Sequence, residues 1–242
     1  INFAAESHVD NSIENPEIFI ETNVMGVYKL LNICYKNWMN QNFNYKTEFE
    51  HSRFHQISTD EVYGSIIKGS FSENDVCKPN SPYSASKAGA DMIVRSYSKT
   101  YGLNTVISRC SNNFGPNQHA EKFIPSIINS IKKNKSIRIY GDGKNIRDWI
   151  YVLDHCDAID VIYNRAENGS IYNVGGKNEM TNLEVVDLVH SKLYNNKPKL
   201  INFINDRFGH DLRYSVDISK ISNGLNWRPK TTLKNYLDRL AK

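Results

Sequence analysis

Two groups of residues in this sequence could do chemistry. The first is Thr59-Asp60-Glu61, placed where the run Phe54 to Ser58 ends, and that run reads as a short strand. The second is Tyr83 and Lys87, whose spacing of four puts both side chains on one face of a helix, one above the other. A phenol titrates near 10, and a neighbouring ammonium lowers it towards a useful general base. Two adjacent carboxyls in a closed site repel each other's charge, so one can stay protonated near neutral pH while the other accepts a proton. Each group also has a plain structural reading. Asp and Glu beside a Thr are common in turns, where they cap the next element, and a Tyr–Lys pair often decorates a helix surface.

The elements that must position these groups follow from periodicity. From Asn15-Pro16 onward, Phe19, Val27, Leu30, Leu31, Cys34 and Trp38 recur at helical spacings, and the turn-rich segment Asn40 to Glu50 ends that helix. Ser81-Pro82 opens a second helix with an N-cap residue and a proline at its first position, running to about Tyr101 with Gly102 as its stop. A strand at Thr105 to Arg109, a helix at about Ile124 to Lys133, a strand at Ile137 to Tyr140 and a helix from Val152 to Arg165 come next. Ile171 to Val174 reads as a strand, and helices at Leu183 to Leu193 and Leu233 to Leu240 complete the series. Ile1 to Ala4 reads as a buried strand. Strands alternating with long helices predict a parallel α/β sheet with right-handed crossovers, and ligands in such sheets sit beyond the carboxyl ends of the strands. Thr59-Asp60-Glu61 falls at such an end.

The 242 residues suffice for a large core, and 40% hydrophobic with 23% charged residues is a globular balance. The net charge of +4 is mild and scattered apart from clusters such as Lys132, Lys133 and Lys135, which suit a small anion or simply a solvated face; no nucleic-acid partner is implied. Cys34, Cys77, Cys110 and Cys156 form no metal-binding spacing, so no metal is expected and reduced, cytoplasmic thiols are. No run is long and apolar enough for a membrane span and no secretory leader pattern is present.

Four segments, in order, carry a resemblance: Ala4-Ala5-Glu6-Ser7-His8-Val9-Asp10, Ser58 to Gly64, Tyr83-Ser84-Ala85-Ser86-Lys87, and Gly141 to Trp149. They resemble the motifs of dTDP-glucose 4,6-dehydratases in the extended short-chain dehydrogenase family, and the likeness runs almost from end to end. Tyr-x-x-x-Lys marks only the wider superfamily; Thr-Asp-Glu before Val-Tyr-Gly is more specific, because sister epimerases and decarboxylases lack the Asp-Glu pair. The resemblance implies a doubly wound, Rossmann-like parallel sheet over residues 1–110, with residues 111–242 mainly a smaller substrate-binding lobe interleaved with returning sheet elements. It implies an NAD-dependent homodimer acting on a nucleotide sugar, dTDP-glucose rather than UDP-glucose, with deoxysugars such as rhamnose as the usual destination.

The roles implied are specific. Tyr83 takes the proton of the sugar 4-hydroxyl as hydride leaves C4, Lys87 holds the phenolate and the nicotinamide ribose, and Thr59 bonds near O4. Glu61 takes the C5 proton and protonated Asp60 serves the departing 6-hydroxyl. Phe3, Ala4, Ala5, Ser7, Thr22, Ser58 and Asn113 resemble cofactor contacts. On the substrate side the resemblance implies Ser7, Asn112, Lys122 and Phe123. It adds Arg138, Ile139, Tyr140 and Arg147, then Asn182 and the run Asp206-Arg207-Phe208-Gly209-His210. Arg147 and Arg207 have forks that match diphosphate oxygens; read bare, each is a surface arginine.

The thirteen glycines include no G-x-G-x-x-G fingerprint. The resemblance therefore implies that the family's N-terminal strands and pyrophosphate cradle are missing from this chain, which alone should hold NAD poorly and be poorly soluble. Two alternatives stay open: an epimerase or decarboxylase on the same fold, and an inactive truncated paralogue serving as a dimerisation module.

Overall fold

The structure, a computed structural model, describes residues 1–40 and 43–241. Residues 41 and 42 of the expected turn at Asn40 to Glu50 lie outside the described residues.

The expected strand at Ile1 to Ala4 is reduced to one parallel bridge between Asn2 and Gln56. Asn2 donates its amide to His55 O at 2.8 Å and accepts from Ile57 N at 3.2 Å, but the Ala4 amide turns onto Asn2 Oδ1. The ladder stops there, and Ile1 and Phe3 are 59% and 61% exposed rather than buried.

Helix α1 (Val9–Glu14) is followed by α2 (Pro16–Phe19), a π-helical segment at Ile20–Met25, and α3 (Gly26–Trp38). Phe19, Val27 and Leu31 are buried as the periodicity predicts. Leu30 is not: it sits at the margin of the stripe, roughly 60° round from Val27 at 3.6 residues per turn, and is 40% exposed. The wider π turn has a structural use, for it carries the buried Asn23, which holds both backbone groups of Glu6 and also donates to Ser86 Oγ at 2.9 Å.

Strand β1 (Phe54–Thr59) is buried throughout and ends in a 3-10 turn at Asp60–Tyr63, which Thr59 caps by accepting from the Glu61 amide. Helix α4 (Pro82–Tyr101) begins with a reciprocal Ser81–Ser84 capping box, worth about 1 kcal/mol, and ends at Gly102 in the left-handed conformation (φ 72°). After β2 (Thr105–Cys110), the order is β3 (Asn112–Phe114), α5 (Phe123–Lys132), β4 (Ile137–Tyr140), β5 (Ile146–Tyr151) and α6 (Val152–Arg165). Then come β6 (Ser170–Val174), β7 (Glu179–Thr181), α7 (Asn182–Leu193), β8 (Ile201–Ile204), α8 (Ser219–Leu225) and α9 (Leu233–Leu240).

The main sheet runs β1-β2-β6, all parallel. Helices cover both faces: α3 and α4 bury Val27, Leu31, Ala90 and Val94 against Phe54 and Ile107, while α6 and α8 bury Ala158, Ile162 and Ile221 against Val106 and Val174. This is the doubly wound α/β arrangement. A second layer holds β3-β5-β7 and the β4-β8 pair, closed by α5, α7 and α9 around Ile124, Ile127, Ile139, Val185 and Leu237. Strand β6 and helices α6 and α8 thus return to the main sheet from the second half of the chain. An ion pair, Arg109 Nε to Asp91 Oδ2 at 2.9 Å, is fully buried between β2 and α4, with the Arg109 guanidinium also over the Tyr63 ring.

Candidate active site

The end of β1 and the first turns of α4 converge. Thr59, Asp60, Tyr83 and Lys87 are all less than a tenth exposed and Glu61 is half-buried. Thr59 Oγ1 donates to Asp60 Oδ1 at 3.3 Å, and Asp60 Oδ2 is buried with no hydrogen-bond partner among the described residues. Burial, the neighbouring Glu61 charge and Asp148 together push the Asp60 carboxyl well above the usual carboxylate range. Burial also raises Glu61, but the Arg147 guanidinium pulls it back down. Burial pushes both carboxyls up and the Arg147 guanidinium opposes the rise at each, so the buried pair favours holding a proton.

Tyr83 behaves differently from the expectation. Burial and the Glu61 carboxylate push its phenol well above 10, with the Thr59 hydroxyl opposing. Lys87 does not lower it: its Nζ donates to Ile57 O at 2.7 Å, and burial depresses the ammonium's own value. Lys87 lies one turn from Asp91, and Ser58, buried under the site, faces that same carboxylate.

A cavity of about 420 Å³ opens over Glu61. Ser7, Asn112, Lys122, Phe123, Arg138, Tyr140, Arg147, Asn182, Arg207 and His210 line it, so most of the expected substrate contacts do share one space. Ile139 does not share it; it alternates with Arg138 and Tyr140 on β4, and its side chain lies in the core beside Ile137. Asp206 sits at the rim, its carboxylate on His210 Nδ1 and the Arg207 amide.

Both arginines already have partners. Arg207 meets the Asp10 carboxylate through Nε at 2.6 Å and Nη2 at 2.9 Å, and lies over the Tyr140 ring. Arg147 is 7% exposed, donates to the carbonyls of Ile146 (2.8 Å) and Asp211 (2.9 Å), and stacks on Tyr214. Arg147 is thus a buried brace, not the surface arginine of the bare reading. Lys122 spans the cavity mouth to Ser7, reaching its carbonyl at 3.0 Å.

Of the expected cofactor contacts, Phe3 and Ala4 are exposed and Ala5 half-buried beside the end of β1, while Thr22 lies in the π turn. The Asn113 side chain is turned inward, its Oδ1 accepting from His155 Nδ1 (2.9 Å) and its Nδ2 donating to Ser111 O (3.1 Å). Sequence reasoning missed Asp10, Asn23, Asp148, Asp211 and Tyr214. Asp148 receives the amides of Gly176 (2.7 Å) and Asn178 (2.6 Å), and burial raises its proton affinity. Gly176 is obligatory there, since a Cβ would lie 1.9 Å from Trp149 O. The one signal for Asp148 was its place in the Gly141 to Trp149 segment.

The GDP-mannose 4,6 dehydratase family model matches residues 1–240. The chain belongs to this family. Within it, the chain is 43% identical to the dTDP-glucose 4,6-dehydratase of Salmonella typhimurium over 97% of its own length and 69% of that protein's. It is 44% identical to the low-salt glycan biosynthesis protein Agl12 of Haloferax volcanii, covering 98% of this chain and 72% of the relative. Among solved structures, the Streptomyces venezuelae dTDP-glucose 4,6-dehydratase DesIV, with NAD bound, superposes with a TM-score of 0.90 at 41% identity, over 99% of this chain and 70% of that one. The fold extends to other chemistry: a UDP-glucuronic acid 4-epimerase of Bacillus cereus reaches 0.87 at 25% identity, over 98% and 71%. The family and fold therefore leave the reaction to be read from the site.

Proposed function

We propose that the protein catalyses NAD-dependent dehydration of dTDP-glucose to the 4-keto-6-deoxy sugar. One observation carries this over epimerisation: two adjacent carboxyls, Asp60 and Glu61, stand at the end of β1 with Tyr83 close to both. Exchange of configuration at C4 has no use for them; elimination of water needs both an acid and a base.

The residues present fit the nicotinamide end of NAD. Lys87 Nζ spends one hydrogen bond on Ile57 O, leaving N–H groups for a ribose, and Ala4 and Ala5 lie open beside the end of β1. Held there, NAD would supply a hydride acceptor for C4 and the same hydride for C6. Tyr83 removes the O4 proton. It acts in this reading as the phenolate; burial and Glu61 hold it as the phenol here, and the positive charge of a bound nicotinamide would favour the phenolate form. Thr59 orients O4. The 4-ketone acidifies C5–H, Glu61 takes that proton, and Asp60 gives its proton to O6 as water leaves. The Arg147 guanidinium opposes the rise that burial imposes on Glu61. Ser7, Lys122, Arg138 and Arg207 offer donors to the nucleotide and diphosphate.

Assembly as a homodimer rests on exposed apolar side chains along the helices before and including α4: Ile18, Met25, Tyr28, Ile33 and Met92. Light scattering reads that state directly. Four unpaired thiols suit a reducing cytoplasm; among the described residues no helix is long and apolar enough to cross a membrane.

Proton NMR of the product from dTDP-glucose tests the reaction. A C6 methyl resonance with loss of H4 is expected. A 4-epimer with its 6-hydroxymethyl retained would replace this reading by the epimerase one.

A further inference from the structure

Asp10 belongs to the first of the segments that carry the family resemblance, yet the proposed reaction at the end of β1 leaves it without a role. It stands in the first turn of α1, where a carboxylate ordinarily complements the helix N-terminus. Instead it lines the cavity, and three contacts converge on it. Its Oδ2 accepts from Tyr140 Oη at 3.0 Å and from Arg207 Nη2 at 2.9 Å, and its Oδ1 lies 2.6 Å from Arg207 Nε. The Arg207 guanidinium lies 4.2 Å from the centroid of the Tyr140 ring, so a carboxylate, a phenol and a guanidinium form one closed group drawn from α1, β4 and the loop after β8. The backbone of that loop is held separately. Asp206 Oδ1 accepts the Arg207 amide at 2.8 Å, and Gly209, at φ 68°, passes so close to Asn80 O that a Cβ would stand 2.5 Å from it. The loop therefore fixes where Arg207 starts, and Asp10 fixes where its side chain points. Nη1 is the nitrogen that neither contact with Asp10 uses.

We propose that Asp10 is a positioning residue for the nucleotide diphosphate: it aims the Arg207 guanidinium into the cavity, with Tyr140 as the second support. This rests on the nucleotide-sugar reading of the cavity. A long, freely rotating arginine must be ordered by the anion it binds, whereas one already held has that cost met before the ligand arrives. The opposing effect is repulsion, because Asp10 also brings a negative charge near a diphosphate. The Arg207 and Asp10 side chains are 25% and 28% exposed, so water screens that repulsion, and the guanidinium that Asp10 holds cancels most of its charge. Ordering is the larger effect. The two also differ in sign: loss of Asp10 weakens binding if it aims Arg207, and tightens binding if it only competes for it.

A double-mutant cycle on the binding of dTDP, read by titration calorimetry on the full chain, tests this without any turnover. Asp10→Ala should raise the Kd for dTDP about three- to tenfold, the range expected when one side chain is left for the ligand to order. Asp10→Asn keeps an acceptor for Arg207 and Tyr140 and should fall between Asp10→Ala and the wild type. In an Arg207→Ala background, Asp10→Ala should change the Kd less than about twofold, because the residue it acts through is gone. A general loosening of α1 would instead weaken binding by the same factor with or without Arg207. Unchanged or tighter binding in Asp10→Ala, or an equal loss in both backgrounds, overturns the proposal. If the wild type does not bind dTDP, or Arg207→Ala binds it as tightly as the wild type, the nucleotide-sugar reading of the cavity itself fails and the role of Asp10 goes with it. Should Asp10→Ala not fold, Asp10→Ser, too short to hold Arg207, takes its place in the cycle with the same expected and contradicting results.

Discussion

The end of β1 and the arginine wall of the cavity face each other, yet they are built on opposite terms. At the strand end, polar atoms are buried and starved: Asp60 Oδ2 has no partner among the described residues, and Tyr83 is pressed by burial against a carboxylate. On the wall, polar atoms are supplied in excess, with Arg147 on backbone carbonyls and Arg207 on Asp10. A buried group left unpaired keeps its proton affinity displaced and its bonding capacity for a reacting atom. A group already paired holds shape and lends a ligand only what remains. The reacting end should therefore answer to mutation in rate, and the wall in stability and affinity.

The sharpest break with that division would come from Tyr83→Phe. Removing the phenol should lower turnover on the order of a hundred- to ten-thousandfold with nucleotide-sugar affinity intact, as single-turnover kinetics and calorimetry would report. Retention of a tenth of wild-type turnover would remove Tyr83 from the chemistry.

On the wall the two arginines should part company. Arg147→Ala strips donors from two carbonyls and a stacked partner from Tyr214, so urea unfolding should show a loss of about 2–4 kcal/mol. Arg207, a quarter exposed in its ion pair, should cost less than about 1 kcal/mol of stability but roughly 1.5–3 kcal/mol of nucleotide-sugar binding. Equal stability losses would erase the distinction.

A smaller effect concerns pH. Burial lowers His155 from 6.5 to about 4. The folded ring stays neutral while the unfolded ring takes a proton near 6.5, so stability from this group is full above that value and falls as pH drops towards about 4. Between about pH 7 and pH 5 the loss should be about 2 kcal/mol, and His155→Gln should remove it. Asp60, Glu61 and Asp148, all raised, act in the opposite direction, and the comparison of variant with wild type subtracts them. An unchanged pH slope in thermal unfolding of His155→Gln would mean that the ring is charged in the fold.

What the sequence made legible divides along similar lines. Long elements with strong periodicity were readable: α6 and α9 run over the expected residues, and α4 starts and stops at its Ser-Pro cap and its glycine. Strands β3 and β7 have three residues each, too few for any alternation, and β5 hides behind its two charges, Arg147 and Asp148. The groups placed at the strand end were findable because Thr59-Asp60-Glu61 and Tyr83/Lys87 are local patterns. Asp211, Tyr214 and Asp10 were not, since their partners lie about 130 to 200 residues away along the chain and only the fold brings them together. The position of the Lys87 ammonium was hidden for a related reason. A helix spacing of four says that Lys87 is near, but not that its ammonium is turned to Ile57 O.

In the proposed reaction two neighbouring carboxyls do opposite jobs, Asp60 as acid and Glu61 as base. Deuterium uptake at C5, measured in D2O alongside formation of reduced cofactor, tests this most directly in Asp60→Asn and Glu61→Gln. Both variants should still oxidise C4, Asp60→Asn should continue to exchange C5 hydrogen while losing water slowly, and Glu61→Gln should show no exchange. Equal uptake at C5 in the two variants would contradict this division of labour.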